Sequence, residues 1–175
     1  MSIISRYNRE HRMQEIVLIA HNIRSTHNIG AIFRTAEGFG VSRIICSGYS
    51  PYPRLAQDMR LPHLSEKITK QINKTALGAE LLVPFEHQET PDLVALRRSG
   101  FTVVGLEQDA GAISLAAYNP PATIALLLGE EVNGIDISLR DECEVLLEIP
   151  MQGSKESFNV SVATGIALYG LSLKF

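Results

Sequence analysis

Three stretches of the sequence combine glycines with polar side chains that are able to bind or activate a substrate. The first is "HNIRSTHNIGAIFRTAEGFG" over residues 21–40, in which Asn28 and Gly30 precede Arg34. Asn28 is predicted to be the N-cap of a helix, because an asparagine side chain accepts a free backbone N–H of the first helical turn. Gly30 would let the backbone approach a partner closely. Taken alone, Arg34 fits an exposed arginine or one paired with a carboxylate.

The second stretch is "ALLLGEEVNGID" over residues 125–136, where an apolar run ends at Gly129 and a second turn is expected at Gly134. Glu130 and Glu131 lie between these glycines. Two carboxylates are able to serve as an acid/base pair, but adjacent side chains usually point apart. We therefore expect one of them to be functional or structural and the other to be solvated.

The third stretch is "EIPMQGSKESFNVSVATG" over residues 148–165. Pro150 is expected to end a strand, and Ser157 and Asn159 bracket Phe158 just before a run of small and aliphatic residues. Serine and asparagine are typical at helix N-termini. This stretch predicts a loop that leads into a capped final helix.

Several common kinds of site are disfavoured by the sequence. The first stretch has one glycine where the dinucleotide fingerprint GxGxxG requires three, and the chain has no GxxxxGK[ST] phosphate loop. Cys46 and Cys143 are far apart with no CxxC motif, and His21 and His27 lack further metal-ligating neighbours. We therefore expect no disulfide framework and no metal.

The elements that must position these residues are indicated by short apolar runs. Such runs are typical of strands that are buried on both faces of a sheet. Segments with helical spacing alternate with them, which predicts an α/β fold with a mainly parallel sheet and helices on both faces. In such folds ligands bind beyond the carboxyl ends of the strands. The predicted strands are 15–20, 43–48, 80–85, 101–106, 123–129 and 144–149, and the predicted helices are 28–40, 63–78 and 89–100.

The chain has 175 residues and a formal net charge of −3, and we expect one domain over residues 1–175. A short basic N-terminal arm is expected at 1–14, and a second basic cluster lies at 54–74. Such clusters are typical of either a polyanion-binding face or solvated helix faces. Because the first residues show no apolar h-region and no segment approaches about 20 apolar residues, we expect neither a signal peptide nor a membrane span. The presence of only two cysteines favours a cytoplasmic protein.

Taken together and in order, the three stretches resemble the SpoU/TrmH branch of the SPOUT methyltransferases, which methylate the ribose 2′-hydroxyl of RNA. The first family motif is matched by Asn28, Gly30, Arg34 and "TAEGFG". The second is matched by "LLLGEEVNGI", and the third by "IPMQG" with "SFNVSVA", where Phe158 replaces a more usual leucine. The resemblance covers residues 15–173.

This resemblance implies a C-terminal trefoil knot and an S-adenosylmethionine site within it. It also implies a homodimer, for which the apolar residues of the last helix are candidates: Val160, Ala163, Ile166, Ala167 and Leu171. The residues expected to bind the cofactor are Gly129, Ile149, Met151, Ser157 and Phe158.

The resemblance further implies catalytic roles for Arg34, Asn28, Glu131 and Asn159. Arg34 is expected near the reacting ribose, either as the base or as a group that binds the adjoining phosphate and stabilises the alkoxide; the high pKa of arginine favours the second role. Glu131 is expected to orient Arg34 or backbone amides, and the two asparagines to hold the site by hydrogen bonds.

Two other functions remain open at this point. One is a catalytically silent RNA-binding or assembly module of the same fold. The other is an α/β protein that binds a small nucleotide, which the missing glycine fingerprint disfavours. For an enzyme, the RNA substrate is tRNA or rRNA, and the small size of the chain favours tRNA.

Overall fold

The computed structural model describes residues 14–174. The predicted basic arm at 1–14 therefore lies, except for Gln14, outside the described residues. Among the helices of residues 14–174, none combines the length and the apolar character needed to cross a membrane.

The centre of the fold is a sheet of seven strands in the order β3-β2-β1-β6-β4-β7-β5, in which every pairing is parallel. The strands are β1 (Glu15–His21), β2 (Arg43–Ser47), β3 (Phe85–Gln88), β4 (Thr102–Leu106), β5 (Ile113–Ser114), β6 (Thr123–Leu128) and β7 (Val145–Glu148). The helices are α1 (Thr26–Gly38), α2 (Pro62–Ala76), α3 (Leu93–Arg98), α4 (Ile137–Arg140) and α5 (Val160–Ser172), with a 3-10 turn at Ala79–Leu81.

Both faces of the sheet are covered, as the sequence predicts. Successive residues of β1 point to opposite faces: Leu18 belongs to the core beneath α1, α2 and α5, and Ile19 belongs to the core beneath α3 and α4. Each of these two side chains is completely buried. The predicted α/β class with a parallel sheet is confirmed, and its continuous apolar runs reflect burial on both sides.

The predicted strand at 80–85 is wrong. Its first residues form the 3-10 turn, and Leu81 and Leu82 are 82% and 69% exposed. The third strand instead begins at Phe85 and has the half-buried sequence FEHQ. This strand lies at an edge of the sheet, where fewer neighbours cover it, so its sequence lacks the apolar run that identifies central strands.

Helix α1 begins earlier than predicted. Its N-cap is Ser25, whose side chain accepts the N–H of Asn28 at 3.2 Å, so Asn28 lies in the first turn and is free to make other contacts. Gly30 permits close packing of two helices: a Cβ there would lie 2.3 Å from the carbonyl oxygen of Ile72 in α2. The partner that Gly30 approaches is therefore another helix.

The final helix packs on the same face of the sheet as α1, and Thr35 of α1 lies beside Gly165 of α5. This contact brings the start of α5 to the carboxyl end of the sheet, beside the start of α1. The trefoil knot implied by the resemblance is consistent with this arrangement and stays a prediction.

Candidate functional site

An open cleft lies at the carboxyl ends of the adjacent strands β6, β4 and β7. This is the edge where parallel sheets bind ligands. Its lining is apolar at the strand ends and polar at the loops that follow them. The lining residues are Leu106, Glu107, Gln108, Leu128, Gly129, Glu130, Glu131, Val132, Gly134, Leu147, Ile149, Ser157, Phe158, Val160 and Ala163.

One wall of the cleft is a tight turn closed by Glu130 and Gly134, whose backbone groups exchange hydrogen bonds of 2.9 and 3.0 Å. Gly129 lies against this turn, and a Cβ at Gly129 would lie 2.3 Å from the carbonyl carbon of Gly134. Such a distance is far below van der Waals contact. The position therefore requires glycine if the turn is to keep its shape.

The carboxylate of Glu107 supports the same turn from the end of β4. It accepts the N–H of Ile135 at 2.7 Å and that of Gln108 at 3.0 Å, while the Gln108 side chain donates to the carbonyl of Ile149 at 2.8 Å. Three loops are thus joined by hydrogen bonds around the cleft. Sequence reasoning missed Glu107 and Gln108, because neither belongs to a recognisable motif.

Three of the four predicted catalytic residues lie together beside the cleft. The Asn28 amide donates to Glu131 Oε1 at 2.9 Å, and the Asn159 amide donates to Asn28 Oδ1 at 3.1 Å. Asn159 is also the N-cap of α5, since its Oδ1 accepts the N–H of Ser161 at 2.9 Å. The predicted cap is therefore confirmed, and the same side chain joins the polar chain.

Glu131 is held as an acceptor. In addition to the Asn28 amide, its carboxylate accepts the backbone N–H groups of Arg24 at 3.2 Å and Ser25 at 3.4 Å. Partial burial opposes ionisation, but these hydrogen bonds outweigh it and place the pKa of Glu131 below its ordinary value. Glu131 is thus a carboxylate at neutral pH, and it orients backbone amides.

The expectation that one of the two adjacent glutamates is solvated is wrong. Glu130 has only 7% of its side chain exposed, and its carboxylate pairs with the guanidinium of Arg24 and accepts from the Asn133 amide. Both carboxylates therefore bind donors of the protein, Glu130 through side chains and Glu131 through the Asn28 amide and backbone N–H groups.

Arg34 lies apart from the other three predicted catalytic residues. It is on the exposed side of α1, roughly a third of a turn around the helix axis from Asn28. Within residues 14–174 its side chain makes no hydrogen bond or ion pair. Among the predicted catalytic residues, the structure brings together Asn28, Glu131 and Asn159 only.

Four of the five residues expected to bind a cofactor line the cleft: Gly129, Ile149, Ser157 and Phe158. Met151 is half-buried in the same loop but is not among the lining residues. Phe158 is 40% exposed, so the cleft presents an uncovered aromatic face at its mouth.

The comparison with family models decides the family. A model described as the SpoU rRNA Methylase family matches residues 15–169, which is most of the chain. The chain belongs to the SpoU rRNA methylase family. The resemblance inferred from the three motifs is thereby confirmed.

Curated relatives within the SpoU family are longer proteins. The chain is 32% identical over 158 residues to the 23S rRNA (guanosine-2′-O-)-methyltransferase RlmB of Coxiella burnetii, and the match covers 88% of this chain and 56% of the relative. It is 28% identical to the tRNA (guanosine(18)-2′-O)-methyltransferase TARBP1 of Mus musculus, covering 90% of this chain and 9% of that protein. The chain therefore spans a little over half of the RlmB relative.

Solved structures of SpoU proteins share the fold. The AdoMet-bound rRNA methyltransferase of Sinorhizobium meliloti is 25% identical with a TM-score of 0.75, and the match covers 92% of this chain and 57% of that one. A TrmH/SpoU tRNA modifying enzyme from A. aeolicus has a TM-score of 0.76 at 23% identity, covering 93% and 76%; this second likeness shows the fold alone.

Proposed function

We propose that this protein is an S-adenosylmethionine-dependent RNA methyltransferase that modifies a ribose 2′-hydroxyl, with ribosomal RNA as the substrate. The main support for this proposal is that a cleft and a chain of hydrogen-bonded polar side chains lie side by side at one edge of the sheet. A cleft fit for a cofactor opens beside the hydrogen-bonded chain of Asn159, Asn28 and Glu131. Family membership supplies the reaction class.

The residues of the cleft fit S-adenosylmethionine. Leu106, Ile149 and Phe158 offer apolar surface for an adenine ring, and the loops that cross the strand ends offer backbone amides and carbonyls. Gly129 and Gly134 allow the turn between them to fold tightly against β6 and Glu107, and this turn forms one wall of the cleft. When bound, the cofactor supplies an electrophilic methyl group on a sulfonium.

The protein must align the oxygen of a ribose 2′-hydroxyl with that methyl group. It must also favour loss of the proton from the hydroxyl. Asn28 and Asn159 present amide groups where the first and third loops meet, and Glu131 fixes Asn28 in place. Such an arrangement would orient a ribose hydroxyl by hydrogen bonds, while the loops at the strand ends would hold the cofactor beside it. We assign these three residues to positioning the ribose.

The role proposed for Arg34 is to bind an RNA phosphate and stabilise the developing alkoxide. Its exposed position on α1 leaves its guanidinium available to a large ligand. A guanidinium fork binds phosphate at two points, and an arginine stays charged at the pH of the reaction. Electrostatic stabilisation therefore suits it better than a role as general base.

The preference for ribosomal RNA replaces the preference for tRNA suggested by chain length. The RlmB relatives act, by their names, on 23S rRNA and match at 31–32% identity. The relative named for tRNA matches at 28% over a small part of its own length. We further propose that the protein acts as a homodimer.

The experiment that tests the function measures transfer of tritiated methyl from S-adenosylmethionine to unmodified transcripts of 23S rRNA and of tRNA. We expect label in the 23S rRNA, and we expect its loss in Glu131→Ala. Equal or greater labelling of tRNA would overturn the choice of substrate. Cofactor binding without label in either RNA would instead favour the silent RNA-binding module.

A further inference from the structure

An exposed tyrosine lies near the proposed site, on a loop whose backbone is held by tight contacts. Tyr49 is the second residue after β2, and 55% of its surface is exposed. Its backbone N–H donates to Asn22 Oδ1 at 3.2 Å. Asn22 and Gly48 both have positive φ, 56° and 62°, and a Cβ at Gly48 would lie 2.0 Å from Asn22 Oδ1. This interlocked pair of turns fixes the backbone from which the ring projects.

The loop that follows Tyr49 is held by a stack of three side chains. The rings of Tyr52 and His87 stack at 4.2 Å, and the guanidinium of Arg60 lies 3.6 Å from the centre of the Tyr52 ring. His87 also bonds the carbonyl of Gly48 at 3.1 Å, next to Tyr49. Long irregular loops are usually functional or mobile. Here the stack holds the loop of residues 49–60 in place, so Tyr49 is exposed on an ordered loop.

The loop after β1 connects Tyr49 with the cofactor cleft, because Asn22, which accepts the Tyr49 N–H, lies two residues before Arg24. Its guanidinium pairs with the buried Glu130, while its own backbone N–H donates to Glu131. Tyr49 is thus tied to the loop after β1 through Asn22, and the same loop is tied to Glu131, on the rim of the cleft, through Arg24. Tyr49 and Arg24 therefore lie on two adjoining loops at one edge of the sheet.

The geometry points to Tyr49 and Arg24 as the platform for the nucleobase of the nucleotide that is methylated. An unpaired base stacks on aromatic rings and on guanidinium planes. Because Glu130 already neutralises Arg24 and holds it in place, this guanidinium suits stacking better than phosphate binding. A base on Tyr49 and Arg24 would leave its ribose beside Glu131 and Asn28. The substrate class is thus a nucleotide in a loop or bulge whose base is turned out of its helix.

This inference rests on the proposed function, and its first test compares variants of the full chain on the 23S rRNA transcript. Loss of one aromatic–base stack corresponds to a 5- to 150-fold weaker interaction, about 1–3 kcal/mol. We expect Tyr49→Ala to lower kcat/KM for RNA by about this factor, while Tyr49→Phe keeps the ring and stays within about threefold. Affinity for S-adenosylmethionine and thermal stability should stay unchanged in both variants.

The matched control is Phe39→Ala. Phe39 is 40% exposed and follows the last residue of α1, at the end of the helix opposite the site. Its loss should leave kcat/KM for RNA unchanged. If Tyr49→Ala behaves like Phe39→Ala while the wild type methylates RNA, the platform is wrong and the proposed function stands. If the wild type methylates no RNA, it is the proposed function that fails.

A second measurement reports stacking itself. The chain contains no tryptophan, so Tyr49→Trp creates a single fluorophore at the platform. We expect its emission to be quenched when the 23S rRNA transcript is added in the presence of S-adenosylhomocysteine, and Phe39→Trp to be unaffected. Equal quenching of the two variants, or quenching of neither, would overturn the inference whatever the kinetics show.

Discussion

The amide of Asn159 donates a hydrogen bond of 3.1 Å to Oδ1 of Asn28, across 131 positions of the chain. Through this bond the N-cap of the last helix is joined to the first turn of α1, and through the Asn28 amide both are joined to Glu131. Three loops that are remote in sequence thus converge on one point at the carboxyl edge of the sheet.

The link between Asn28 and Glu131 is tested by Asn28→Asp, which keeps the shape of the side chain. The variant replaces an N–H donor with a second carboxylate at the 2.9 Å contact. We expect the free energy of unfolding at neutral pH to fall by about 1.5–3 kcal/mol, the value of a hydrogen bond to a charged group. We also expect methyl transfer to fall at least tenfold.

A matched control is available in Asn73→Asp. The Asn73 amide donates to Glu80 Oε1 at 2.6 Å and joins α2 to the 3-10 turn, and neither residue lines the cleft. The Asn73→Asp variant should lower the free energy of unfolding to a similar extent as Asn28→Asp and leave methyl transfer intact. If both variants lose activity alike, the loss in Asn28→Asp reflects stability and the assigned positioning role is wrong.

Gly129→Val tests whether the tight turn shapes the cofactor site. Its side chain would overlap the backbone of Gly134 and Ile135, so the turn that forms one wall of the cleft must move. We expect binding of S-adenosylmethionine to be abolished in calorimetric titration while the far-UV circular dichroism stays that of a folded protein. Gly38→Val is the control, since no atom lies within 4 Å of a Cβ there. Affinity within twofold of the wild type in Gly129→Val would place the cofactor elsewhere.

The proposed homodimer requires an exposed apolar face. The last helix has such a face, but it is formed by other residues than those expected from the sequence. Ala167 and Leu171 are buried within their own chain, whereas Val162, Tyr169 and Leu173 are 50%, 57% and 65% exposed. These three follow helical spacing and form a stripe. Apolar stripes of this kind suit an isologous contact between two copies.

We expect sedimentation at micromolar concentration to give a dimer, and the double variant Val162→Glu with Tyr169→Glu to give a monomer. Leu82→Glu, a charge placed on the exposed 3-10 turn, should stay dimeric. A wild-type protein that sediments as a 19.2 kDa species would rule the dimer out.

Arg34 is tested by single-turnover methylation together with titration of the cofactor. Arg34→Ala should slow turnover by about 100-fold or more, as for removal of one electrostatic donor from a transition state. Arg34→Lys should restore little, because an ammonium lacks the planar two-point contact. Cofactor affinity should be unchanged, and Arg98→Ala, an exposed arginine of α3 on the other face of the sheet, should behave as the wild type. Normal turnover in Arg34→Ala would remove Arg34 from the mechanism.

The central strands could be predicted from the sequence because burial on both faces demands unbroken apolar runs. Their register and order could not, since the β1–β6 pairing joins residues more than a hundred positions apart. The edge strand Phe85–Gln88 escaped prediction for the opposite reason, as a half-buried strand needs no apolar run. The two-residue strand β5 is too short to leave any pattern.

At the site, the motifs identified the loops and the resemblance identified the residues, but not their contacts. The sequence predicted Asn28 as the cap of α1, but the structure uses Ser25, which frees Asn28 to bond Glu131 and Asn159. The pairing of Arg24 with Glu130 was beyond sequence reasoning, because nothing local distinguishes that arginine from a solvated one. Long-range polar contacts depend on the fold being known first.

The position of the methyl group on the product RNA tests the central claim most directly. A methyl on the ribose 2′-oxygen removes the nucleophile that cleaves the adjoining phosphodiester in alkali. The 23S rRNA transcript treated with this protein and S-adenosylmethionine should therefore yield one alkali-resistant linkage, and the labelled nucleoside should carry its methyl on the ribose in mass spectrometry. A methyl group on the base, with every linkage still cleaved by alkali, would contradict the account.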